Sequence, residues 1–111
     1  MAVVNQYKFA GLNANTDNTE KNPFGTNNPP VNETYLIKSI IVKSAGTPTP
    51  TVTNDGIVVI QSAALTANES KELLTQPLIV EGGKTLTIKA GSADAFTFGV
   101  SYLNIKKEVT T

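Results

Sequence analysis

The sequence predicts an all-β chain: an antiparallel β-sandwich with an extended N-terminal arm, a jelly roll being one option for its topology. Three observations predict it. Short runs rich in Val, Ile, Thr and aromatic residues recur about every 8 to 12 residues, with turn formers between them. Charged residues make up only 16% of the chain and apolar residues 40%, a balance that suits strands and turns better than amphipathic helices. The length, 111 residues, is that of one domain with one core.

Residues 2–9 read as a short strand in which Val3 and Val4 lead to Tyr7 and Phe9. From Ala10 to Asn32 no period is visible, and residues 13–30 collect Asn, Asp, Gly and Pro, which favour turns or remove backbone donors. Structureless connections of more than about 15 residues are uncommon within compact domains. A segment this polar has no core of its own, so its order needs an outside anchor. A neighbouring chain is the preferred anchor and crystal packing the plainer one. Residues 1–34 are therefore assigned to an N-terminal arm and polar loop, residues 35–106 to the sandwich, and residues 107–111 to a polar tail.

The sandwich opens with Tyr35–Lys43, which carries apolar groups on both alternating faces and so is expected to be covered on both, within the domain or at an interface. Ala45–Pro50 ends it, because proline cannot continue an interior ladder. Thr51–Thr53 and Ile57–Ile60 flank Asn54-Asp55-Gly56, a strong hairpin signal, since Asp and Gly accept positive φ at low cost. Thr66-Ala67-Asn68-Glu69 fits a capping box, but no helical stripe follows, so a turn leading into a strand at Lys71–Leu74 is preferred. Leu78–Val80 is the next strand. Glu81-Gly82-Gly83-Lys84 reads as a hairpin turn, and Thr85–Ala90 alternates with Leu86, Ile88 and Ala90 inward. After a turn at Gly91–Asp94, the last strand sets Phe96, Phe98 and Val100 on one face and Leu103 and Ile105 on the other. That switch predicts a bulge near Gly99–Tyr102 or a strand passing between sheets.

Composition excludes several function classes. Cys, His, Trp and Arg are all absent. Disulfide frameworks, thiolate or imidazole metal sites and histidine-dependent catalysis go with them. The formal net charge is zero, so bulk attraction to nucleic acid or anionic lipid is not expected. No apolar run approaches the roughly 18 residues of a membrane span, and the first residues do not read as a signal peptide.

Nine acids, Asp17, Glu20, Glu33, Asp55, Glu69, Glu72, Glu81, Asp94 and Glu108, are dispersed, mostly over turns. Their spacing enforces neither a carboxylate pair for glycoside hydrolysis nor the six to eight oxygens of a calcium site. Gly82-Gly83-Lys84-Thr85 lacks the first glycine of a phosphate loop and leads into a strand. Asn32-Glu33-Thr34 and Asn68-Glu69-Ser70 fit the glycosylation pattern by chance. No catalytic, cofactor-binding or metal-binding residue is assigned, no cofactor is expected, and the chain is read as a non-enzyme.

The remaining candidates are apolar. Tyr7, Phe9, Leu12 and Phe24 lie in or beside the polar N-terminal segment, where aromatic anchors either dock on a partner or fold back on their own domain. With Ile37 and Ile41 they form the candidate interface. Ile37 to Val42 and Ile57 to Ile60 carry apolar groups on both faces, which predicts a homo-oligomer, a trimer being preferred. Exposed aromatics also stack on sugars, with Tyr35 and Tyr102 the candidates for that role.

Ile37-Lys38-Ser39-Ile40-Ile41-Val42, the stretch Leu65–Leu74, the stretch Pro77–Ala90, Ala93-Asp94-Ala95 and Val100-Ser101-Tyr102-Leu103-Asn104-Ile105 together resemble small β-sandwich structural proteins of tailed bacteriophage virions. The resemblance covers about two thirds of the chain and leaves residues 1–34 unmatched. It implies a non-enzymatic virion protein, first of all a capsid decoration (cement) protein that binds the major capsid protein and stabilises the shell. A neck, tail or fibre component and a carbohydrate-binding host-attachment module are the alternatives. The motifs are structural, so no functional residue is carried across.

Overall fold

A computed structural model of the chain describes residues 3–15, 18–24, 29–92 and 95–107. Asp17, Asp94, Glu108 and the tail from residue 108 onward lie outside the described residues. Eight strands are described: β1 (Val3–Asn15), β2 (Glu33–Ser44), β3 (Thr51–Asn54), β4 (Ile57–Gln61), β5 (Ser70–Glu72), β6 (Leu78–Val80), β7 (Leu86–Lys89) and β8 (Phe96–Lys107). All pairings are antiparallel. One sheet runs β1-β8-β2, with β5 and β6 sharing the far edge of β2; the other runs β4-β3-β7. The fold is an all-β sandwich.

The core is filled by the inward side chains of both sheets. Ile37, Ile40 and Val42 of β2 and Phe96, Phe98, Val100 and Tyr102 of β8 face Val52, Leu86 and Ile88 across the interior. On β8 the alternation is unbroken from Phe96 to Asn104, and Leu103 and Ile105 lie on the outer face. The expected bulge is therefore in the neighbouring strand. Register shifts in β2 between Ile37 and Ser39, so that Ile37 and Ile40 both point inward. Ile37 is fully buried, which removes it from the candidate interface.

Glu72 stabilises that irregularity. The edge of β2 is covered by two three-residue strands, and between them the backbone N–H of Ile40 would lack an acceptor. A Glu72 carboxylate oxygen takes it at 2.7 Å, and the same group accepts from Ser39 Oγ and from the Leu74 N–H. Just beyond, the Leu73 N–H donates to the Ile40 carbonyl at 2.8 Å, and the Leu73 side chain enters the core. The segment before β5 is a turn, as expected, with Asn68 at φ 62°.

Asp55 and Gly56 both adopt positive φ, 53° and 77°, in the two-residue β3–β4 hairpin. The Gly82-Gly83 turn is not a hairpin, because β6 and β7 belong to different sheets. Gly82 lies against the Pro30 and Val31 carbonyls, where a Cβ would come within 2.6 Å, so only glycine lets the chain cross there.

The N-terminal segment is extended, but it lies on its own domain. β1 pairs residue by residue with β8 from Val3 to Leu12, and Ala10 packs against the core. Residues 18–24 are anchored within the chain as well. Lys21 exchanges two backbone hydrogen bonds with Ile88 at 2.9 and 2.8 Å, and Asn18 Oδ1 accepts from the Gly91 N–H at 2.9 Å. Phe24 sits edge-on against Tyr35 and Tyr102, with ring centroids 4.8 and 4.9 Å away. The anchor expected from a neighbouring chain is supplied by β7 and the aromatic end of the core.

Two outcomes follow for stability. A chain that begins at Asn32 loses β1, the Lys21 bridge and Phe24 together, and we expect it to show no cooperative unfolding transition by circular dichroism. Glu72→Ala strips the acceptor from the Ile40 N–H and should cost about 1 to 3 kcal/mol in urea denaturation, with Glu72→Gln less damaging because an acceptor oxygen remains.

Candidate functional site

The described residues group into three regions where side chains are exposed, polar and buried, or both. The first is the polar end of the core. Tyr35 and Tyr102 lie 4.7 Å apart between ring centroids, with Phe24 against both. Beside them, buried Asn104 donates from Nδ2 to Glu33 Oε1 at 2.9 Å, while its Oδ1 has no partner. Burial raises the pKa of both phenols, with Glu33 adding to the effect on each and the Tyr35 hydroxyl adding to that on Tyr102. Glu33 is the only carboxylate bonded in this group, and it is spent on an amide. Nothing here pairs a nucleophile with a base, and the arrangement reads as structural.

The second region is the outer face of the larger sheet. Tyr7 is 79% and Phe9 72% exposed, and Ile41 is 47% exposed. Tyr7 faces Leu103 across the β1–β8 pair, and Leu103 faces Leu36 across the β8–β2 pair. Of the candidate interface residues this face brings together Tyr7, Phe9 and Ile41. Leu12 is opposite Phe98, on the inner face of β1 at the sheet edge, where it is 39% exposed. Phe24 and Ile37 are claimed by the core. Tyr102, named above as a sugar-stacking candidate, is buried, and Tyr35 is engaged in the aromatic cluster.

The third region is one open flank of the sandwich. Ile57, Val58 and Val59 of edge strand β4 are 64%, 56% and 41% exposed, and Ile79 of β6 is 53% exposed. Two shallow hollows lie between β4 and β6. One is bordered by Val59, Leu74 and Leu78, the other by Ile57, Val59 and Ile79. Along the opposite flank residues 18–24 run beside β7, bridged to it at Lys21 and Ile88. The sequence signal for this region was present, since Ile57-Val58-Val59-Ile60 is a strand without a polar face.

Among the described residues no group of His, Cys, Asp and Glu is placed to hold a metal ion, and no helix is long and apolar enough to cross a membrane. The chain matches no known family model and no curated protein.

The raised phenol pKa values set a pH window. A group whose folded pKa exceeds its unfolded value contributes stability below the unfolded pKa of about 10, and that stability is lost as pH rises through the folded value. In near-ultraviolet titration, two of the three tyrosines should ionise late, and unfolding free energy should fall with pH only above about 10.

Proposed function

We propose that this chain is a non-enzymatic structural protein of a bacteriophage virion, a capsid decoration protein that binds the major capsid protein and stabilises the shell. The observation that carries the reading is the distribution of apolar surface. A sandwich this small has one interior, yet Ile57, Val59 and Ile79 are exposed along one flank beside Asp55, Glu81 and Lys84, and Val58 is exposed on the outer side of the same strand, while residues 18–24 run along the other flank. Such a surface fits permanent contact with a protein surface better than it fits turnover of a small molecule.

Connectivity supports the same reading. Counting the Lys21 bridge as a reduced strand, and β5 with β6 as one interrupted strand, the two sheets order eight successive segments as 1-8-3-6 and 2-7-4-5. On that count the order matches the double Greek key of a jelly roll, an architecture used by viral capsid and lectin domains, and supports that finer reading of the sandwich. Fold alone does not assign function, so this adds weight and nothing more. The resemblance in the β2, β5–β7 and β8 sequences points the same way.

On this reading the protein is found in virions and self-associates through the β4–β6 flank, as a trimer in the preferred form. A neck, tail or fibre component is the near alternative, and electron microscopy of labelled virions separates it from a capsid location. The protein should co-sediment with capsids and raise their melting temperature. Val58→Lys, at an exposed edge position, should leave the monomer folded but reduce self-association in sedimentation velocity by at least tenfold. A concentration-independent monomer that ignores capsids would end the proposal.

A further inference from the structure

The outer face of the larger sheet has a shape of its own, independent of the flank used in the decoration reading. β8 presents only small side chains outward over much of its length: Thr97, Gly99 and Ser101. Tyr7 and Phe9 rise on one side from β1, two residues apart on one face and so about 7 Å from each other. Lys38, Ile41 and Lys43 rise on the other side from β2. The result is a trough along β8 with an aromatic wall and a lysine-bearing wall.

Phe9 lies across this trough. A Cβ on Gly99 would come 2.5 Å from its ring Cζ, so glycine is what lets the ring rest on the strand. The ring divides the trough into two open hollows of about 250 and 510 Å³, both lined by Phe9. The only charged residues lining them are Lys8, Lys38 and Lys43. The Glu72 carboxylate, opposite Ile41 on β5, accepts from Ser39 and from the Ile40 N–H at the outer side of the lysine-bearing wall.

We propose that this trough binds an extended anionic polysaccharide, with sugar rings against Tyr7 and Phe9 and carboxylates on Lys38 and Lys43. The charge of the walls calls for an anion, and the aromatic rings offer broad contact area at little conformational cost. The sheet decides against an extended peptide. β8 is paired on both sides, so its N–H and C=O groups are committed and a docking strand gains no backbone hydrogen bonds. Lys38 and Lys43 are roughly 15 Å apart along β2, at about 3.4 Å per residue with Lys38 in the bulge, so two carboxylates of one extended glycan reach both. A nucleic acid strand is disfavoured by the absence of Arg, whose planar guanidinium forks onto phosphates and stacks on bases.

The test uses the full chain in affinity electrophoresis against polygalacturonate, hyaluronate and polysialate, with dextran and single-stranded DNA as controls. At least one of the polyanionic glycans should retard the protein, dextran should not, and added salt should relieve the retardation. Tyr7→Ala and the pair Lys38→Gln, Lys43→Gln should each weaken binding at least tenfold while the circular dichroism spectrum and urea midpoint stay close to those of the parent, since these side chains are exposed. Retardation by none of the glycans, equal retardation by dextran, stronger retardation by DNA, or indifference to both variants would each overturn the proposal. So would a Tyr7→Ala variant that breaks a self-associated species, because the face would then be an interface between copies.

Discussion

The structure depends on the double pairing of β8. This twelve-residue strand is matched against β1 on one side and β2 on the other, and it is the only strand held along most of its length by two long neighbours. Its inward residues Phe96, Phe98, Val100 and Tyr102 form the floor on which the smaller sheet packs. Its outward residues Thr97, Gly99 and Ser101 form the floor of the surface trough. One strand thus fixes both the core and the most distinctive surface, through the period of two that every strand imposes.

Long pairing has a geometric cost. A sheet of strands this long twists, and β2 must keep facing a core while its edge partners change from β6 to β5. The one-residue shift at Ile37/Ser39 meets that demand, and Glu72 satisfies the N–H that the shift exposes. A carboxylate that the sequence placed in a short strand without a role is therefore a structural acceptor. This explains why apolar residues at Ile37, Ile40 and Ile41 were open to a reading as two apolar faces: the first two share one face once the bulge is counted.

The strands and their turns were legible because they rest on local chemistry. Asp55-Gly56 needs positive φ at both residues, Pro48 and Pro50 stop a ladder, and Leu86, Ile88 and Ala90 alternate without interruption. What was not legible depends on partners distant in sequence. Nothing local in residues 10–15 says that they continue β1, because Gly11 and the asparagines are poor strand formers; their pairing with β8 overrides propensity. The Lys21–Ile88 bridge and the lodging of Phe24 against Tyr35 and Tyr102 are likewise invisible to periodicity. Of the candidate surface residues, Tyr7, Phe9 and Ile41 were found from sequence by their apolar character, whereas the lysine wall opposite them required the register of β1, β8 and β2.

The way the edges are treated bears on what kind of molecule this is. β7 is closed by Lys21, and β5 and β6 are each three residues long, too short to template another chain. The β6 edge is further occupied by Asn54, whose Nδ2 donates to the Ile79 carbonyl at 2.9 Å. β4 has no such protection: it is uncharged, apolar on both sides, and shielded only by the irregular pairing at Val59. A soluble monomer with no partner would carry an aggregation hazard there. Edge protection is thus present at β5, β6 and β7, while the β4 edge and the outer edge of β1 have no strand partner among the described residues. On the sheet face Gly99 has no side chain to pack, and the Phe9 ring lies over it, so the ring covers a glycine that would otherwise weaken the strand. The same contact that consolidates β1 on β8 thus shapes the trough.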